Sequence, residues 1–248
     1  MSMYNEFSRY YDYLTGDVDY KKRTKYLLRL FEKFDRKPSL LLDLACGTGG
    51  FSVQFSKAGI DVIGVDISEG MLDCAKKNSE KAGQDILFLC QDATELELYG
   101  TVDGAICCLD SLNHITDYKD FCRAISRVAL FLEKERLFIF DLNTEYKQRE
   151  ILGNNIFVID EPPVYCVWSN LYFPDTKTTD VDLDFFEQNE NGAYIRTGEE
   201  FLERCYDAKQ VEKALEKANF EILAVYEEMT ENSPKKDTQR VVYVTRRI

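Results

Sequence analysis

The chain has 248 residues, 45% of them hydrophobic and 30% charged, and a formal net charge of −13, which is enough apolar material for one large domain with an insertion. An acidic surplus of this size repels phosphate backbones, whose binding needs clustered Lys and Arg, so no nucleic acid partner is expected. No apolar run reaches the roughly 18 residues of a membrane span, the polar and aromatic start is unlike an export signal, and the eight cysteines form no Cys-x-x-Cys, so a soluble, cytoplasmic protein with reduced thiols and no membrane partner is expected.

Tyr4, Phe7, Tyr10, Tyr11 and Tyr13 crowd the N-terminus with little periodicity. A helix is predicted over roughly residues 20–35, with Leu27, Leu30, Phe31 and Phe34 as its apolar stripe and Lys21, Lys22, Arg23 and Lys25 as a solvated face. Strands are predicted at 40–44, 61–65, 86–90, 102–108 and 137–140. Helices are predicted at about 49–58, at 69–82 behind the cap-like Ser68, and at 118–132. Such strand–helix–strand repetition calls for parallel pairing with right-handed crossovers. The pattern breaks near Asn143. Pro162, Pro163, Pro174, the Asn191-Gly192 turn signal and strand-like runs at 165–172 and 181–185 indicate inserted antiparallel strands. Residues 157–206 hold three basic against eleven acidic residues, a net of −8, so the insert carries much of the acidity. A helix opened by Asp207 and Gln210 in capping-box spacing runs to about Ala218, and strands at 220–226 and 240–245 close the chain.

The chemistry-bearing residues gather at strand ends. The first strand leads through Asp43, Ala45, Gly47 and Gly49 straight into a helix, and glycines there let the backbone turn tightly and approach a ligand at the carboxyl edge of a parallel sheet. Asp66 ends the second strand, 17 residues after Gly49, where a carboxylate can accept from both hydroxyls of a ribose. Asp92 follows the third strand and can accept from an adenine amino group. The three strand ends converge on one nucleoside.

The stretch Asp43 to Gly49 (Asp-x-Ala-Cys-Gly-Thr-Gly), Val65-Asp66-Ile67-Ser68 with Met71, and Gln91-Asp92-Ala93 resemble successive motifs of class I S-adenosylmethionine-dependent methyltransferases of the small-molecule type, over residues 40–142. The resemblance implies that Gly47 and Gly49 pass the methionine part of the cofactor, with Ala45 in the same loop. It further implies that Asp66 holds the ribose, Ile67 and Met71 flank adenine, Asp92 and Ala93 meet its edge, and Asp43 orients the loop or the cofactor ammonium. NAD sites usually show Gly-x-Gly-x-x-Gly, but Phe51 and Ser52 follow Gly50 here. The N-terminal Phe7 to Leu14 is similar to the lid opening of these enzymes. There a residue matching Tyr11 reaches the cofactor, and a plain hydrophobic flap is the equal alternative. The implied fold class is α/β: a Rossmann-like doubly wound, mostly parallel seven-stranded sheet with an inserted antiparallel β subdomain. Residues 1–143 and 205–248 form the cofactor domain, and 144–204 the insert, a cover for the acceptor side.

The implied reaction is methyl transfer from S-adenosylmethionine to a small-molecule acceptor by in-line displacement, with no metal and few catalytic groups. The alternatives are a non-catalytic S-adenosylmethionine-binding module and an RNA methyltransferase. His114, the only histidine, follows the fourth strand, where the family places its acceptor-facing loop. Steadying that loop is the favoured role, and acting as a catalytic proton acceptor the second. Tyr11 is the other catalytic candidate, and Leu109 a cofactor contact. Asp141 and Asn143 either face the acceptor or cap the following segment. In the insert, Tyr165, Trp168, Tyr172, Phe173, Phe185 and Phe186 are read mostly as its core rather than an aromatic acceptor pocket. Asp180, Asp182 and Asp184 are read as a solvated strand face rather than a site for a cationic acceptor.

Overall fold

The computed structural model describes residues 5–162 and 164–248; Tyr4 and Pro163 lie outside the described residues, as does the side chain of Phe7. The chain opens with α1 (Asn5–Leu14) and α2 (Tyr20–Phe34). Alternation then begins with β1 (Leu40–Leu44), α3 (Gly50–Lys57), β2 (Asp61–Asp66), α4 (Glu69–Lys81), β3 (Leu87–Cys90), β4 (Gly104–Cys107), α5 (Tyr118–Phe131) and β5 (Leu137–Asn143). Four strands follow, β6 (Ile156–Glu161), β7 (Val164–Phe173), β8 (Thr178–Gln188) and β9 (Tyr194–Arg204), before α6 (Ala208–Lys217), β10 (Phe220–Glu227) and β11 (Arg240–Arg247).

Helix starts are fixed by short polar side chains. Ser68 accepts from Met71 N, Asp117 from Lys119 N and Asp120 N, and Asp207 forms a full capping box with Gln210. Seven strands form one sheet in the order β10-β11-β5-β4-β1-β2-β3. β5, β4, β1, β2 and β3 pair in parallel, and β11 alone is reversed, running antiparallel to both of its neighbours, β5 and β10. Strand alternation divides the core between two faces. Leu42, Leu44, Ala105, Cys107, Phe138 and Phe140 pack toward α5 and α6, and Leu41, Ile106, Leu137 and Ile139 toward α2 and α3. Strand order reverses between β1 and β4, the switch point at which open α/β sheets bind ligands.

The other four strands make a separate antiparallel sheet, β6-β7-β8-β9. Here the structure adds to the sequence reading. Phe7, Tyr10, Tyr11 and Tyr13 are helical in α1, and β6 and β9 flank the two expected strands. Only Tyr172 and Phe185 of the insert aromatics are core; Tyr165 and Phe173 are exposed, because alternation along β7 turns them outward. Asp180, Asp182 and Asp184 share the outer face of β8, opposite buried Val181, Leu183 and Phe185. The strand expected at 102–108 shortens to β4, with Val102 bridging Leu132 instead. All eight cysteines are free thiols. Among the described residues no helix is long and apolar enough to cross a membrane.

Candidate active site

At the switch point β1 gives way to a turn in which Ala45, Gly47 and Gly49 all have left-handed backbone, with φ of 56°, 54° and 79°. For Ala45 this is a strained state, costing on the order of 1–3 kcal/mol. Asp66 holds the turn: its Oδ2 accepts from Gly47 N at 2.8 Å and its Oδ1 from Ser68 N at 2.9 Å. Burial raises the Asp66 pKa, and these backbone donors oppose the rise. The glycines differ in purpose. A Cβ on Gly47 would meet only the ring edge of Tyr11, at 3.9 Å, whereas one on Gly49 would press on Ala75 at 3.1 Å and Phe88 at 3.4 Å. Gly49 thus permits close packing of α3 on α4 and β3.

A cavity of about 1350 Å³ opens at this sheet edge. Tyr11, Ala45, Gly47, Asp66, Ile67, Met71, Asp92, Ala93, Leu109 and His114 all line it, whereas Asp43 and Gly49 do not. Asp43 is turned into the protein, where Ser52 Oγ donates to its Oδ2 at 2.5 Å and burial pushes its pKa up to about 7. It braces β1 against α3. Asp92 is fixed by Thr94 N, which donates to its Oδ1 at 2.7 Å. Over the loop, Asp12 pins α1 in place: Thr48 Oγ1 donates to its Oδ1 at 2.7 Å and Asn78 Nδ2 to its Oδ2 at 3.2 Å. The Tyr11 phenol bonds to Tyr20, and burial pushes its pKa well up.

Residues 41–131 match the family model described as a methyltransferase domain. A Geobacillus sp. (strain WCH70) protein with a methyltransferase name is 28% identical over 98% of this chain and 99% of its own. The ubiquinone biosynthesis O-methyltransferase of Coxiella burnetii (strain RSA 493 / Nine Mile phase I) is 32% identical over 107 residues, 43% of this chain and 45% of that protein. The crystal structure of an S-adenosylmethionine-dependent methyltransferase from Clostridium acetobutylicum ATCC 824 superposes with a TM-score of 0.88 at 31% identity, over 98% of each chain. The chain belongs to the S-adenosylmethionine-dependent methyltransferases.

The far wall of the methyltransferase's cavity is ionic, and sequence reasoning missed most of it. Leu109 and Asp110 both take left-handed backbone, with φ of 57° and 55°. Asp141 holds them there, accepting from Leu109 N at 2.9 Å and Asp110 N at 2.6 Å. Asp141 therefore braces the preceding loop rather than capping the segment after it, and neither it nor Asn143 lines the cavity. Arg240 reaches Asp110 at 3.1 Å, Asp141 at 3.3 Å and Glu228 at 3.5 Å. Burial alone would lower the Arg240 pKa, but the three carboxylates hold it above its ordinary value. Arg23 pairs with Glu228 and lines the cavity, so it is not part of the solvated face of α2. His114 Nε2 lies 3.9 Å from Glu203 Oε1, and Gln148 Nε2 donates to Glu203 Oε2 at 3.0 Å. These partners lie far apart in sequence. Arg240 arrives only through the antiparallel pairing of β11 with β5, which sets it opposite Asn143.

Proposed function

We propose that the cavity holds S-adenosylmethionine across the ends of β1 to β4 and that the enzyme transfers its methyl group to a small-molecule acceptor, directly and without a metal. When bound, the sulfonium supplies an already activated methyl group, so the protein's task is to orient, desolvate and align. One observation carries the reading: Gly47, Asp66 and Asp92, from three separate strand ends, line one cavity together with Ile67, Met71, Ala93 and Leu109. The Asp66 carboxylate accepts from the backbone of Gly47, Ser68 and Ile67 and retains acceptor capacity for a ribose hydroxyl. Residues 1–143 and 205–248 would form the cofactor domain and 144–204 the acceptor-side cover, since β6 to β9 make their own sheet and supply Phe157, Trp168 and Glu203 to the cavity wall. A small molecule rather than RNA fits the net charge of −13. It also fits the name of the Coxiella relative, whose product belongs to ubiquinone biosynthesis.

Calorimetric titration with S-adenosylhomocysteine tests the reading. Asp66→Ala should weaken binding by about 1.5–3 kcal/mol, the value of a hydrogen bond to a charged group. Asp92→Ala should cost less, because backbone groups share recognition of an adenine edge. A folded Asp66→Ala protein with wild-type affinity would remove the ribose assignment. Mass spectrometry of a metabolite pool incubated with enzyme and S-adenosylmethionine then identifies the acceptor.

A further inference from the structure

The inner face of the β6–β9 sheet is half covered. At one end Tyr10 of α1 stacks on Phe185, ring centroids 4.7 Å apart, and donates to Glu187 at 2.8 Å, closing a small core with Val164 and Cys166. The other end forms cavity wall, where Phe157, Trp168 and Phe201 are half-buried over the buried Val181 and Leu183. Strand register sets Phe157 opposite Trp168, Trp168 opposite Leu183, and Val181 opposite Phe201, all lining the cavity. The trough ends at His114, whose ring tilts against Phe201 at 5.0 Å. Around that end stand acceptors. Glu203 Oε1 is 3.9 Å from the imidazole, and Asp66 and Asp110 lie within its electrostatic reach. Of the cations at the cavity, Arg240 is held by Asp110, Asp141 and Glu228, and Lys147, which donates to Asn143 Oδ1 at 3.0 Å, lies within electrostatic reach of Glu203 and Asp110 and so offsets their charge in part.

An apolar stretch of cavity wall is matched by an apolar ligand, and an acceptor-rich end by a hydrogen-bond donor. We propose that the trough of Phe157, Trp168, Leu183 and Phe201 is the subsite for the methyl acceptor, and that it takes a molecule with a flat apolar body and a hydroxyl or amine directed at His114 and Glu203. The proposal rests on the methyl-transfer reading above. A carboxylate in the same position would face Glu203, Asp66 and Asp110, and is disfavoured.

Trp168 is the chain's single tryptophan, so its emission reports occupancy of the trough. With saturating S-adenosylhomocysteine present, aminoindane, indanol and indane carboxylate present one flat frame with three head groups. The amine and the alcohol should change Trp168 emission saturably, and the carboxylate should bind at least about tenfold more weakly. Phe157→Arg, on the edge strand β6, and Phe201→Ala should each weaken the first two probes by at least about tenfold while calorimetric affinity for S-adenosylhomocysteine stays at the wild-type value. No saturable response to the amine and alcohol, equal binding of the carboxylate, or unchanged probe affinity in both folded variants would overturn the proposal. Failure of S-adenosylhomocysteine to bind the wild-type protein would strike the cofactor reading instead. The trough is then judged by the same titrations without it.

Discussion

Replacing Arg240 by Met should cost the protein about 3–5 kcal/mol of stability, the loss expected when one partner of a buried ionic group is removed and the rest are left uncompensated. Arg240 is almost wholly buried, and three carboxylates, Asp110, Asp141 and Glu228, converge on it. Methionine keeps an unbranched apolar stem and lacks the guanidinium, so the main deficit would be the lost charge and its ion pairs. The loss should depend on pH. Burial alone would raise the Asp110 carboxyl, but Arg240 and Lys147 outweigh it and hold its pKa below the ordinary value. Its ionised form therefore contributes stability above the unfolded carboxylate pKa of about 4, and that contribution disappears as pH falls through the lower folded value. Without Arg240 the contribution is missing. The gap between wild type and variant should be widest near neutrality and should shrink on acidification. Urea unfolding at several pH values measures it, and a neutral-pH gap under about 1 kcal/mol would mean that solvent already screens the cluster. Because Asp141 also fixes the left-handed Leu109 and Asp110, the variant should bind S-adenosylhomocysteine less well even where it remains folded.

That cluster also marks where sequence reading stops. The α/β alternation was legible because each of its signals is local. Ser68, Asp117 and Asp207 cap helices within three residues of themselves, and fully buried parallel strands such as β4 and β5 read as unbroken apolar runs. That Gly47, Asp66 and Asp92 would share one cavity wall was legible for the same reason, since each ends or directly follows a recognisable strand. Asp43 and Gly49 belong to the same motif, yet they serve packing: one is held by Ser52, the other lies against Ala75. No spacing distinguishes a glycine that faces a ligand from one that faces a helix. The edge strand β6 was hidden because its Ile156 and Val158 are exposed, 67% and 55%, so neither burial nor alternation marks it. In α1 the aromatic residues serve different neighbours. Tyr10 packs on the antiparallel sheet, while Tyr11 turns to Tyr20 and the cavity, and this splits the helical stripe. The ionic wall joins Arg23, Asp110, Glu228 and Arg240, and only tertiary topology brings them together.

The second large effect is expected at Gly47, where two substitutions separate ligand contact from packing. Gly47 has φ of 54° and lines the cavity, and the space at its missing Cβ is open except for the Tyr11 ring edge at 3.9 Å. Gly47→Val places a branched side chain in left-handed backbone, an outlier conformation for such residues, at about 1–2 kcal/mol. It also projects methyl groups into the cavity where the proposed cofactor site lies. Affinity for S-adenosylhomocysteine should fall by at least about 100-fold, close to 2.7 kcal/mol, alongside a moderate loss of stability. Gly49→Ala is the counterpart. Its φ of 79° and its Cβ contact of 3.1 Å with Ala75 strain the fold, but Gly49 does not line the cavity, so each molecule that stays folded should bind nearly as tightly as wild type. Thermal unfolding and calorimetry on the same purified samples yield both quantities for both variants. If Gly47→Val bound with wild-type affinity per folded molecule, both glycines would serve only the turn, and the cofactor would have to lie elsewhere in the cavity than against the β1–α3 loop.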